Sequence, residues 1–289
     1  RVFAGVVSTG ADRILVMPDH SGLARPAAAD VEGQIKVEYV EMGVADHQGA
    51  STRAAQAMAE QGVDCIVTLG GDGTNRVVAK GAGEVPLVPI STGTNNVFPA
   101  NTEGTLAGMA AGALATGVLT RDEACRRSKR IDIYVNGERR DDALVDAAVS
   151  TQMFVGARAV WDTKSLHSMF LTRAEPASIG LSSIGSRIMP IAIDDENGLY
   201  IRFTGKPGKN ATTVRAPIAP GMISDVDIQD WKVMTPGEKI EINLQPGTVA
   251  LDGEREVELL PDQKVYAVLN SDGPWVVDVP TTMTLLATR

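Results

Sequence analysis

Residues 65–80 read CIVTLGGDGTNRVVAK, a run of apolar β-formers that stops at Gly70-Gly71-Asp72-Gly73-Thr74 and gives way to a helix-like segment from Thr74 or Asn75 onward. A buried strand that enters a glycine turn and passes at once into a helix is the repeating element of an α/β layer. Its ligands usually lie beyond the carboxyl ends of the strands. The surrounding sequence keeps the same rhythm. Strand-like runs at 14–17, 35–40, 65–69 and 86–90 alternate with Ala-rich stretches, and residues 51–61 place Ala54, Ala55, Met58 and Ala59 at amphipathic helical spacing. The first third of the chain therefore reads as β-α-β-α with a parallel sheet.

The glycine turn also carries chemistry. Glycines let phosphate oxygens approach backbone N–H groups, and the helix N-terminus adds a partial positive charge, so the loop predicts anion binding. It has no Walker-type lysine. Instead it sets the carboxylate of Asp72 among the phosphates, placed to hold Mg²⁺ or to accept a hydroxyl proton. The plainer reading is a tight turn whose aspartate caps the helix. Residues 86–99, PLVPISTGTNNVFP, repeat the logic with a second apolar strand followed by Ser91, Thr92, Gly93, Thr94, Asn95 and Asn96, rich in small hydrogen-bonding groups. Two neighbouring strand ends are then expected to face one nucleotide.

After about residue 128 the texture changes to short strands separated by turn signals. Asn136-Gly137 between RIDIYV and ERRDDALVDAAV predicts a type I′ hairpin. Further strands are expected at 199–204, 212–218, 238–244, 248–251, 264–269 and 275–279, interrupted by helix-like spacing at 161–173 and 178–189. The expected architecture is an α/β domain with a parallel sheet over residues 1–125 and an all-β domain over 126–279, with 280–289 a candidate to return to the first.

Composition narrows the function. With 289 residues and 44% hydrophobic content, the chain has room for two cored domains. A formal charge of −9 argues against a general nucleic-acid binder, and the lack of an uninterrupted apolar run of about 18 residues argues against an integral membrane protein. Cys65 and Cys125 fit no disulfide framework, so the default expectation is a reduced, cytoplasmic setting. The sequence opens at Arg1 rather than Met, in a helix-like segment, and the true N-terminus is not readable from it. His20, His47 and His167 show no metal-ligand spacing, and the metal ligands stay unassigned. The basic cluster Arg121, Arg126, Arg127, Lys129, Arg130, Arg139 and Arg140 reads as a solvated face balanced by Asp122, Glu123, Asp141 and Asp142, with an acidic or phosphorylated ligand as the alternative.

GGDGT followed some twenty residues later by a strand and GTNN resembles the ATP-NAD kinase and diacylglycerol kinase superfamily. The stretches RVFAGVVSTGADRILVMPD and STGTNNVFP are most similar to its acetoin catabolism protein X group. The resemblance implies an ATP- and Mg²⁺-dependent kinase acting on a hydroxyl of NAD or a related acceptor, an NAD kinase-like fold with a Rossmann-like α/β domain and a C-terminal β-sandwich domain, and a homo-oligomer. It implies that Gly70, Gly71, Gly73, Thr74 and Asn75 line the phosphates, that Thr92, Gly93, Thr94 and Asn95 form the second nucleotide loop, and that Asp72 is the catalytic or metal-binding carboxylate. Residues 249–254, VALDGE, resemble the Asp-Gly-Glu motif of lipid kinases, with Glu254 a candidate base and Asp252 a candidate substrate-positioning residue; Asp-Gly is also an ordinary hairpin turn. Asp146 matches the carboxylate of the dinucleotide-holding pair of NAD kinases, while Val145 stands in place of its Asn. Asn96 stands where lipid kinases have Asp, and residues 178–190 resemble the small-residue helix of the NAD kinase substrate site without its Tyr. A lipid or diol kinase and a non-catalytic nucleotide-binding regulator are the alternative readings.

Overall fold

The computed structural model describes residues 1–19, 22–42, 49–152, 163–204 and 211–289, with the side chains of residues 255 and 256 left aside. His20, His47, the beginning of the 161–173 segment and the turn at 206–208 lie outside the described residues. The chain forms two compact units: Arg1–Thr92, Pro99–Arg127 and Pro274–Arg289 make the first, and Gly93–Phe98 with Ser128–Gly273 the second.

The first unit opens with α1 (Val2–Ser8), β1 (Arg13–Val16), α2 (Ala24–Asp30), β2 (Lys36–Tyr39), α3 (Ala50–Glu60), β3 (Ile66–Gly70), α4 (Asp72–Ala82) and β4 (Leu87–Ser91). It continues with α5 (Gly104–Ala115), α6 (Arg121–Ala124) and β5 (Cys125–Arg127). β1 and β2 pair in parallel, and so do β3 and β4, as the strand-helix alternation requires. Side chains on β4 such as Val88 and Ile90 pack against the alanine face of α5, and Leu87 joins Ile66 and Val78 against α3.

Small residues allow two close helix contacts here. A Cβ on Gly108 of α5 would lie 2.1 Å from the Val2 carbonyl oxygen of α1, and one on Gly81 of α4 would lie 2.0 Å from the Thr52 carbonyl of α3. Neither site can hold a side chain without the helices separating.

The second unit contains β6 (Arg130–Val135), β7 (Glu138–Ala143), β8 (Asp146–Ser150), β9 (Leu166–Leu171), α7 (Ser182–Ser186), β10 (Gly198–Phe203), β11 (Thr212–Ala219) and β12 (Met222–Met234). It is completed by β13 (Lys239–Glu241), β14 (Gly247–Leu251), β15 (Glu254–Leu259) and β16 (Val265–Asn270). A seven-stranded sheet of order β11-β12-β10-β9-β8-β14-β15 and a four-stranded sheet β13-β16-β6-β7 result, both antiparallel. Alternation along β8 shows how they pack: Ala147 and Val149 enter the core shared with Ile131, Ile133 and Ala267 of the smaller sheet, while Ala148 enters a second core beneath Ile184 of α7. A strand covered on both faces explains the apolar run at 147–149. The predicted turn is present, with φ of 53° at Asn136 and 89° at Gly137.

The chain then returns to the first unit as β17 (Trp275–Val277) and α8 (Val279–Thr288). β17 lies parallel to β4 and antiparallel to β5, giving the order β3-β4-β17-β5.

Two expectations need correction. Within 161–173 the described part is a short 3₁₀ turn at Thr163–Ser165 followed by β9, not a helix. Its helix-like spacing is the signature of a central strand that is apolar on both faces, as Met169, Phe170 and Leu171 show by being fully buried. Of 178–189 only residues 182–186 are α-helical. Five residues of the basic cluster pair with acids, mainly ones distant in sequence: Arg127 and Arg121 with Glu84, Arg126 with Asp278, Arg130 with Asp132 and Asp272, and Arg139 with Asp132 and Asp142.

Gly108→Leu is expected to destabilise the first unit by roughly 1–3 kcal/mol through overpacking. Urea denaturation followed by circular dichroism checks this, and a variant as stable as the parent would contradict the close α1–α5 contact.

Candidate functional site

In the first unit the site begins where β3 and β4 end side by side, with Gly70 opposite Ser91 in parallel register. Gly71 is the N-cap of α4 in extended conformation and, as a glycine, makes no side-chain cap hydrogen bond. The loop is fastened from beneath. Asn75 is fully buried; its Nδ2 donates to the Gly71 carbonyl at 2.8 Å and its Oδ1 accepts from Thr68 Oγ1 at 2.5 Å. The Asn75 backbone N–H also donates to the Gly71 carbonyl. Asn75 therefore serves the loop from inside, as a positioning residue rather than a phosphate ligand.

With Gly71 pinned, the N–H groups of Asp72, Gly73 and Thr74 lead the helix, which is the arrangement that receives an anion. Gly70 is required by contact: a Cβ there would lie 2.5 Å from Cβ of Thr74. Asp72 sits in the first helical turn, partly exposed, where a carboxylate is favoured by the helix dipole.

Thr92 is exposed and closes the first unit's share of the second loop. Gly93, Thr94 and Asn95 belong to the second unit with the rest of Gly93–Phe98. There the Asn96 amide folds back to within 3.1 Å of where a Cβ on Gly93 would sit, and Asn95 Oδ1 stands 3.1 Å from the corresponding point on Gly180. Phe98 is buried under the Arg173 guanidinium, 5.4 Å from its ring centre.

Elsewhere in the second unit, Asp252 and Gly253 form the turn between β14 and β15 with φ of 50° and 83°, so the hairpin reading of Asp-Gly holds. The carboxylate has a separate task. Asp252 is buried and accepts backbone N–H bonds from Leu144 at 2.9 Å, Val145 at 2.8 Å and Asp146 at 3.1 Å. Its own N–H donates to the Asp146 carbonyl, and Thr172 Oγ1 donates to the Leu144 carbonyl. Asp252 thus fixes the bend that presents Asp146 at the start of β8. Val145 is fully buried, and Glu254 is exposed on the strand side of the turn.

Among the described residues no group of three or more His, Cys, Asp or Glu side chains is placed to hold a metal ion. A cavity of about 800 Å³ in the first unit, lined by Asp64, Glu84, Leu119 and Arg121 among others, opens at the amino ends of β3 and β4, opposite the glycine loop. At its rim, hydrogen bonds from Arg127 and from the Trp275 indole hold the Glu84 carboxyl down at about 2.

Comparison with known proteins bears on the family and the fold. Residues 9–123 match the ATP-NAD kinase N-terminal domain and residues 129–272 the acetoin catabolism protein X C-terminal domain. Acetoin catabolism protein X of Cupriavidus necator is 39% identical over 98% of this chain and 82% of its own. The chain belongs to the acetoin catabolism protein X family. That family sits within the ATP-NAD kinase superfamily. An NAD kinase of Methanosarcina acetivorans is 23% identical over 86% of this chain and 85% of its own length. A yeast NADH kinase, solved in complex with NADH, shares the fold with a TM-score of 0.52 and 12% identity, covering 98% of this chain and 80% of its own.

Thr68, beneath the glycine loop, and Arg173, over Phe98, carry no motif signal. The available signal was polarity inside apolar runs, such as Thr68 within IVTLG.

Thr68→Val is expected to leave the Asn75 amide short of a partner and to lower stability by about 1–3 kcal/mol, measured by thermal and urea unfolding. Asp252→Asn is expected to raise hydrogen exchange at residues 144–146, because one carboxylate acceptor becomes an NH₂ group; unaltered exchange there would refute the bend-fixing role.

Proposed function

We propose that the protein is an ATP- and Mg²⁺-dependent kinase that phosphorylates a hydroxyl of NAD or a related small acceptor. The observation that carries this reading is the glycine-led N-terminus of α4 beyond the end of β3, with Asp72 in its first turn and Gly71 held from below by Asn75. Such a terminus offers aligned N–H donors to a triphosphate, and phosphoryl transfer needs chiefly alignment and charge neutralisation. The relatives named NAD kinase and NADH kinase support the reaction class.

The donor set suits Mg²⁺, which is usually held by one or two carboxylates, phosphates and water rather than by an all-protein cage. Asp72 would hold it, and the ion would supply charge neutralisation at the phosphates. In this chain, the N–H groups of Asp72, Gly73 and Thr74 bind and orient the phosphates, with Gly70 and Gly71 keeping the approach open. Thr92, Gly93, Thr94 and Asn95 contribute the second loop. Asp72 accepts the acceptor's hydroxyl proton, or holds the ion that lowers its cost, and Asp146, fixed by Asp252, orients the acceptor. Glu254 is the second candidate base. The proposal takes the protein to work in the cytoplasm as a homo-oligomer, with both Cys65 and Cys125 as free thiols.

One observation favours an acceptor other than the dinucleotide: Val145 is fully buried, so its side chain offers the acceptor nothing beside Asp146. A diol or lipid alcohol then becomes the acceptor.

ADP release with ATP and Mg²⁺, screened against NAD, NADH, diacylglycerol and small polyols, tests the reaction and separates these acceptors. With the acceptor found, Asp72→Asn is expected to reduce turnover by about 10²–10⁴ while calorimetric ATP binding changes little. Turnover at the parental rate would remove Asp72 from the mechanism. ATP binding with no ADP released for any acceptor would favour a regulatory nucleotide-binding protein.

A further inference from the structure

Both ends of the segment 173–197 are tied to two consecutive residues in the second unit. At its start, Arg173 donates from NH2 to Ser128 Oγ at 3.1 Å. At its end, Lys129 Nζ donates to the carbonyls of Ala192 at 3.5 Å, Asn197 at 2.8 Å and Asp195. Ser128, Lys129 and Arg173 are 4%, 5% and 1% exposed, so all three lie beneath the surface. Between the ties, Ala174 and Ile191 exchange backbone hydrogen bonds and close the base of the excursion. The same segment meets the Gly93–Phe98 loop twice: Arg173 lies over Phe98, and Gly180 faces the Asn95 amide. Gly180 is itself fixed by its N–H bond to the Pro217 carbonyl.

We infer that Ser128 and Lys129 form a buried clasp that holds residues 173–197 and, through Arg173 and Gly180, sets the position of the Gly93–Phe98 loop. Lys129 is a positioning residue. An ammonium has three N–H donors for three carbonyls, whereas the neutral amine has two donors and a lone pair turned on the third oxygen. The groups that act on it electrostatically are Arg173, which opposes its charge, and Asp195 and Asp194, which favour it. Burial and Arg173 bring the Lys129 ammonium down to about 8 from 10.5. The sign matters: a lysine titrating lower in the folded chain than in the unfolded one loses no global stability as pH rises through that window. The same linkage governs local opening: an opening of 192–197 that returns Lys129 to water is disfavoured as pH rises through that window.

The consequence for nucleotide binding rests on the proposed role of the second loop; the clasp itself does not. Hydrogen exchange by mass spectrometry on the full chain, corrected for intrinsic rates, tests it between about pH 7 and pH 9.5. Wild type is expected to keep or gain protection at 192–197 as pH rises through about 8. Lys129→Met is expected to show protection at 192–197 and 93–98 reduced by roughly two- to tenfold, the size of one hydrogen bond. Arg173→Lys is expected to loosen 93–98 while protection at 192–197 persists. Wild-type protection in Lys129→Met, or loss of wild-type protection at 192–197 as pH rises, would overturn the clasp; should Lys129→Met fail to fold, the wild-type profile decides alone. A working clasp with ATP affinity unchanged in Lys129→Met would uphold the clasp and count against the loop's nucleotide role.

Discussion

The geometry of the glycine loop depends on one buried amide. Asn75 uses both ends of its side chain, donating to Gly71 and accepting from Thr68, and neither group meets water. A buried amide is costly when half satisfied and rigid when fully satisfied. Its completion holds the Gly71 peptide still, and a fixed Gly71 decides where α4 begins and which N–H groups remain outward. The conformation of the helix start is therefore a product of a hydrogen bond made underneath it.

A comparable arrangement recurs in the second unit, with charge in place of the amide. Asp252 draws three backbone N–H groups onto one carboxylate and so shapes the bend before β8. Lys129 gathers three carbonyls onto one ammonium. In each case a buried polar group is matched by backbone partners converging from a loop, which is how irregular segments acquire a single conformation without a core of their own. Side chains that face a ligand can then be few.

The local elements were legible in the sequence because each has a local cause. Gly70-Gly71 followed by a helix, the Asn136-Gly137 turn and the β-branched runs at 212–218 and 264–269 are written in neighbouring residues. What was hidden depends on the third dimension. β9 looked helical because a strand covered on both faces loses its period of two. The partners of Arg127 and Arg126, Glu84 and Asp278, lie 43 and 152 positions away, so no charge pattern along the chain could pair them. For the site, GGDGT and GTNN were visible as motifs, but the split of Thr92 from Gly93 between two units, and Asn75's turn inward, follow from packing that no spacing records.

The order of the strands in the first unit carries a consequence for biogenesis. β17 inserts between β4 and β5, although 147 residues of chain, 128–274, separate it from β5. On a ribosome, β3 and β4 emerge before β17, and although Ala100 already pairs along part of β4, the Leu87 position that Val276 covers stays open until residues 275–277 have been made. The second unit is thus synthesised as an insertion within a first unit whose sheet is still incomplete. Truncation before residue 275 would strike that sheet, and a chaperone that shields a nascent sheet margin would find its client there.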